Sequence, residues 1–329
     1  MKLARRQFLH LAAGAAALPT VSRIATAQTY PSRPITIVVP YPPGGLIDAL
    51  ARILAESMRG SLGQTIVIEN IGGANGSIGV GRVARGSPDG YTLSIGTSDQ
   101  FVVNGAIYPL QYDVVKDFEL VALLASSSAL IVTRVAVPAS DLKGLIAWLK
   151  ANHGQLAQAH NGTGGALHLC GIELQNAVGA KWPFVPYRGA APALQDVMAG
   201  QIDLMCAAPA ASLALVRSGR LRAYAVTANV RLATAPDIPT VDEAGLPGLY
   251  SSVWGALFAP KGTPEDVIAK LNSAIVSALA DPTMRRRIAD VGMEHPAREQ
   301  QTPEALGALQ KAEIAKWWPI IKAANIKGE

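Results

Sequence analysis

Cysteine is nearly absent. Cys170 and Cys206 are the only two in 329 residues. Two isolated thiols in apolar surroundings cannot staple a fold, and they lack the spacing and the His or Asp company of a metal site. They read as small buried hydrophobes, although an exported chain could oxidise them. Charge is scarce too, at 16% of residues, while half the chain is apolar, which is the balance of a compact folded protein. The net charge of +5 is deceptive, because residues 1–27 hold Lys2, Arg5, Arg6 and Arg23 and no acid. The remainder carries 25 basic against 24 acidic residues, so nothing electrostatic argues for nucleic acid or an anionic membrane as partner. No apolar run reaches the ~20 residues of a membrane span. There is no G-x-x-x-x-G-K-[ST], no G-x-S-x-G and no H-E-x-x-H, and no acid and base stand paired for catalysis. Repeats of fixed period are also missing.

What the chain does have begins with a leader. Arg5-Arg6, the apolar "LHLAAGAAALP" and "ATA" before Gln28 fit a twin-arginine export signal over residues 1–27, which implies a periplasmic protein. Beyond it, strand-like and helix-like patterns alternate, as α/β architecture requires. Strands are expected at 35–40, 65–69, 92–96, 120–125, 130–135, 204–207, 221–226 and 252–258. Helices are expected at 47–58, 141–151, 166–178, 191–199, 264–280, 282–291 and 303–323, the last three forming a packing layer. At 329 residues the chain has length for two domains.

One unit recurs in separate halves: strand, glycine-rich turn, helix. It appears as "VVPYPPGGLIDALAR" and as "AQAHNGTGGALHLCGIEL", with a shorter echo at Gly96-Thr97-Ser98. The first amides of a helix lack internal partners and carry the positive end of its dipole. Glycines let an anion approach them without an intervening Cβ, and Pro42-Pro43 stiffens the entry. A carboxylate or phosphate is the ligand such turns suit; a plain capped turn is the alternative. His160 and His168 flank the second turn, as ligand contacts or as caps. "GVGRVA", residues 79–84, formally fits a dinucleotide turn with Asp99 about twenty residues on, but no strand immediately precedes it.

Together, "YPSRPITIVVPYPPGGLIDALAR", "GQTIVIENIGGANGSIGVGRVARGSPDGYTLSIGTS", "VPYRGAAPALQDVMAGQID" and "GALFAPKGTP" resemble the Bug (TctC-type) solute-binding proteins of tripartite tricarboxylate transporters, over essentially the whole mature chain. The resemblance implies a type II periplasmic-binding-protein fold: two α/β lobes joined by crossover strands, with a ligand cleft between them. Residues 28–128 and 253–329 would form lobe 1 and residues 129–252 lobe 2. It implies no catalysis and no cofactor. It implies a monomer that closes on a small carboxylate and is read by membrane permease subunits or by a sensor-kinase ectodomain. Carried over, Tyr41, Pro43, Gly44, Gly45, Leu46, Thr97, Ser98 and Asn104 would contact ligand from lobe 1. His160, Gly162, Thr163, Gly164, Gly165, Tyr187, Ala207 and Ala208 would do so from lobe 2, with Trp254 as a roof. Two departures, Leu46 and the run Cys206-Ala207-Ala208-Pro209, make the pocket more apolar and point to an apolar or aromatic acid. Arg188 is either a carboxylate clamp or a surface residue. The rival readings are an exported NAD(P)-dependent oxidoreductase using residues 79–84 and the ligand-sensing domain of a regulator.

Overall fold

The computed structural model describes residues 30–327; the leader expected over residues 1–27 lies outside them. The strands are β1 (Ile35–Val39), β2 (Ile66–Asn70), β3 (Thr92–Thr97), β4 (Phe118–Ser128), β5 (Leu130–Arg134), β6 (Gln158–His160), β7 (Phe184–Pro186), β8 (Leu204–Ala207), β9 (Leu221–Val226) and β10 (Ser252–Pro260). The helices are α1 (Leu46–Leu62), α2 (Ser77–Ala84), α3 (Asn104–Ile107), α4 (Leu142–Asn152), α5 (Ala166–Val178), α6 (Ala190–Ala199), α7 (Pro209–Arg217), α8 (Glu265–Ala280), α9 (Pro282–Asp290) and α10 (Pro303–Ala323).

The strands form two five-stranded sheets, ordered β2-β1-β3-β10-β4 and β7-β6-β8-β5-β9. Each sheet follows one plan. Its neighbouring strands are parallel, except for one strand that arrives from the other lobe and runs antiparallel: β10 between β3 and β4, and β5 between β8 and β9. Two α/β lobes exchanging a strand each is the architecture that the resemblance implied. Helices cover both faces of each sheet, so central strands such as β1 read as continuous apolar runs rather than alternating ones. Helix α1 buries Ile47, Leu50, Ile53, Leu54 and Met58, a helical-period stripe, and stops at Gly63 in the left-handed region.

Away from the cleft, the lobes are tied at the strand crossing, by α10 and behind the crossing. Only Ala129 separates β4 from β5. Its N–H donates to Thr227 Oγ1 at 3.0 Å, and the Thr227 hydroxyl donates to Ser251 O at 2.7 Å, so one buried threonine clasps both crossings. From α10, Lys316 pairs with Glu173 on α5 at 2.8 Å and donates to Tyr250 O. Behind the hinge, Gly292 packs so closely on Ala210 of α7 that a Cβ at 292 would overlap it. Gly292 has φ +79° and Gly262 has φ +87°, yet only the former is crowded. Gly292→Ala is therefore expected to lose about 2–3 kcal/mol, against about 1 kcal/mol for Gly262→Ala, where backbone strain acts alone. Urea midpoints measure both; equal losses would mean the lobes do not bear on each other there.

Four elements have no counterpart in the sequence reading, among them α3, a single turn of four residues. Strand β7 is three residues long, α2 is interrupted by Gly79 and Gly81, and α7 is apolar without a clear stripe. The dinucleotide candidate is resolved by α2, which holds residues 79–84 inside a helix. Gly79 there permits close packing, since a Cβ would overlap the Ile71 carbonyl. It is not a turn after a strand. Cys170 and Cys206 are both buried and free. Among the described residues, no helix is long and apolar enough to cross a membrane, and no three His, Cys, Asp or Glu side chains assemble as a metal site.

Candidate functional site

The two glycine turns face one another across a hollow of about 860 Å³ between the lobes. Lobe 1 lines it with the segment from Tyr41 to Ile47, with Asn75, Thr97 and Asp99, and with Ser127 at the hinge. The other wall holds residues 161–163 and 165–167, Arg188, Gly189 and Ala208, with Val253 beside the return crossing. The starts of four helices, α1, α5, α6 and α7, thus meet at one cavity. None has a side-chain cap from its own N-cap residue. Unpartnered amides and aligned dipoles make such a place attractive to anions.

The first turn is organised from behind. Asp48, 3% exposed, accepts from Gly44 N–H and Arg52 Nε, each at 2.9 Å, and from Asn70 Nδ2 at 2.9 Å. The hydrogen bonds from Arg52 first, with those from Gly44 and Asn70, outweigh burial and hold its carboxyl down at about 2. Gly44 lies at φ +85°, which a side chain would resist. Its amide is therefore committed to Asp48, and the amides beyond it, at the start of α1, remain for an incoming acceptor. Alongside, Tyr41 Oη meets Thr97 Oγ1 at 3.1 Å and accepts from Gln100 Nε2 at 2.8 Å, and Gln100 also donates to Asn75 O.

The second turn is tied more tightly. Gly162 N–H donates to His160 Nδ1 at 3.3 Å, and Gly164 N–H to His168 Nδ1 at 3.0 Å. The two imidazoles stack at 4.1 Å. Burial, then the neighbouring His160, pulls His168 down to about 4, so it stays neutral and keeps its acceptor. Gly165 N–H donates to Gly162 O. Ala166 N–H, the first of α5, donates across the cleft to Asp99 Oδ1 of lobe 1 at 3.2 Å. Burial pushes the Asp99 carboxyl up to about 6, opposed by that hydrogen bond.

Of the positions that the resemblance implied, Tyr41, Pro43, Gly44, Gly45, Leu46, Thr97, Gly162, Thr163, Gly165 and Ala208 line the hollow. The others lie outside its lining. Trp254 cannot roof it, being 1% exposed in a core that includes Leu169 and Ile172 of α5. Ala207 is sealed in the second lobe's core. Ser98 is buried with no partner for its hydroxyl, and Asn104 stands behind Asn75, bonded to it. His160 supports the turn from beneath. Gly164 turns toward lobe 1, where a Cβ would press on Ile107. The Tyr187 hydroxyl is committed to Asp196 at 2.6 Å. Sequence reasoning did not assign Pro42, Ile47, Asn75, Asp99, Ser127, Asn161, Ala166, Leu167, Gly189 or Val253 to the cavity. Asp99 had a usable signal, since it follows directly on the Gly96-Thr97-Ser98 strand end. Arg188, left open between clamp and surface, lines the cavity, and no carboxylate pairs with it among the described residues.

Comparison with known proteins agrees with this architecture. The family model described as tripartite tricarboxylate transporter family receptor (TctC) matches residues 50–326. A UPF0065 protein of Agrobacterium vitis is 38% identical over 323 residues, covering 97% of this chain and 92% of its own length. Among solved structures, MatC of Rhodopseudomonas palustris, with bound malate, superposes with a TM-score of 0.74 at 38% identity over 89% of this chain and all of its own. An R. palustris protein with adipate gives 0.76 at 31% identity over 91% and 99%. The chain belongs to the TctC family of tripartite tricarboxylate transporter receptors.

Proposed function

We propose that the protein is a periplasmic receptor that captures a small dicarboxylate between its lobes and presents the closed form to the permease subunits of a tripartite transporter. The observation that carries this reading is the electrostatics of the hollow: four helix starts converge on it, and Arg188 is the single basic side chain among its lining residues. The relatives with malate and with adipate support the ligand class. Lobe 1 comprises residues 28–128 and 253–329, and lobe 2 residues 129–252. One carboxylate meets the amides at the start of α1. The second is held by Arg188 and the start of α6, as Arg suits a carboxylate bidentately. Pro42, Pro43, Leu46, Ile47, Leu167 and Val253 suit an apolar body between them.

Each lobe contributes half the contacts, so ligand stabilises the closed form by its differential affinity for it. A sensor-kinase ectodomain is the other reader that closure can serve. The protein acts as a monomer and makes or breaks no covalent bond. Native mass spectrometry of protein purified without denaturation, followed by calorimetry with malate, succinate, adipate and benzoate, tests the reading. A retained diacid, or micromolar binding of one of the three, is expected. Binding of none of these acids would overturn it.

A further inference from the structure

Asp99 is the one acidic side chain among the residues lining the hollow, and nothing in the capture of a dianion calls for it. A carboxylate facing an anionic ligand opposes binding unless the ligand offers it a hydrogen. Its two oxygens are differently engaged. Oδ1 takes the Ala166 N–H at the start of α5, the position where a ligand carboxylate would otherwise sit on lobe 2. Oδ2 has no hydrogen-bond partner among the described residues, and it stands 3.7 Å from where a Cβ on Gly165 would be. The Asp99 backbone is fixed by its N–H donating to Thr97 Oγ1 at 3.2 Å, so the side chain is set at the end of a buried strand. Of the four helix starts, α5 is thus already occupied by an internal anion and α7 opens on Pro209, which has no N–H to offer, so those of α1 and α6 are left for the ligand's carboxylates. The stretch of ligand between them passes an acceptor.

We infer that Asp99 is a specificity-determining residue that selects a dicarboxylate carrying a hydrogen-bond donor, a hydroxyl or an ammonium, between its two carboxylates. This rests on the reading above and narrows it from dicarboxylates in general to hydroxy- or amino-dicarboxylates. A site built to accept a ligand hydrogen rejects the analogue that lacks it, because the buried acceptor is left unpaired. The same carboxylate is held in a half-buried place that raises its pKa, which marks it as costly to the ligand-free fold.

The test is titration calorimetry at pH 8, where Asp99 is ionised, with L-malate, L-aspartate and succinate, on the wild type and on Asp99→Asn. The wild type is expected to bind malate or aspartate about 10–100-fold tighter than succinate, the size of one hydrogen bond to a charged group. In Asp99→Asn that ratio should fall to within about threefold, while succinate binding holds or improves as the like charge is removed. The asparagine oxygen still accepts from Ala166, so the lobe contact persists; the ligand-free melting temperature should rise by about 2–4 °C, reporting a folded variant. A purely structural role would weaken all three acids equally. Equal wild-type affinities for the acids with and without a donor, or an unchanged ratio in the variant, overturn the inference and leave the receptor reading intact. Binding of none of the three overturns both.

Discussion

Trp254→Ala is expected to lower the unfolding free energy by about 3–5 kcal/mol. The ring is 1% exposed at the centre of a cluster that joins Phe101, Phe258 and Trp317 of lobe 1 to Leu169 and Ile172 of α5. Its removal leaves a cavity among these side chains, and β10, hydrogen-bonded on one side to β3 and on the other to β4, cannot shift to fill it. The indole Nε1 has no hydrogen-bond partner among the described residues. Trp254→Phe should therefore cost only about 1 kcal/mol, since an unpaired buried donor is removed together with part of the ring. Chemical denaturation of the two variants measures both losses. An alanine variant within 1 kcal/mol of wild type would show that this side chain does not hold the junction of the lobes.

The second large effect is expected at Asp48. Replacement by alanine leaves the Gly44 amide and the Asn70 amide without the acceptor they share, at a cost of about 2–4 kcal/mol. The Arg52 side chain is 54% exposed and returns to water, so the ion pair itself adds little. Because Gly44 then loses its anchor, the first glycine turn is no longer preorganised, and diacid affinity should fall about tenfold. The pH dependence has a definite sign. The folded carboxyl lies near 2, below its ordinary 3.8, so its contribution is complete above about pH 4 and is lost as pH falls from there toward 2. Wild type should lose stability faster than Asp48→Ala across that window in acid-titration denaturation curves. Parallel curves would mean the carboxylate is not held as described.

Much of the fold was legible because its strands and helices bury continuous or periodic apolar faces. The β-branched run Ile35–Val39, four apolar residues and Thr36 ahead of Pro40, reads as a central strand, and the stripe of α1 reads as a helix laid on it. The short elements were not. Three residues of β7 carry no period, and α2 is stabilised by the close approach of Gly79 to Ile71 rather than by its own propensity. At the site, the glycine turns announced themselves through chain chemistry, whereas the fate of each amide did not. Gly162 and Gly164 read as ligand donors until His160 and His168 are seen to take their hydrogens. Trp254 read as a roof because position beside a crossover strand does not reveal which face of the sheet a side chain joins.

By itself, then, the order of residues determined local matters: where backbone could turn, where helices could begin, and which stretches had to be buried. Those depend on dihedral freedom and hydrophobic period over a few neighbouring positions. Tertiary structure alone decided that Asp99 meets Ala166, 67 positions away, and that Arg188 and the start of α1 look into one hollow. Such pairings follow from two sheets exchanging a strand, and no local pattern encodes the distance between surfaces that the crossing brings together.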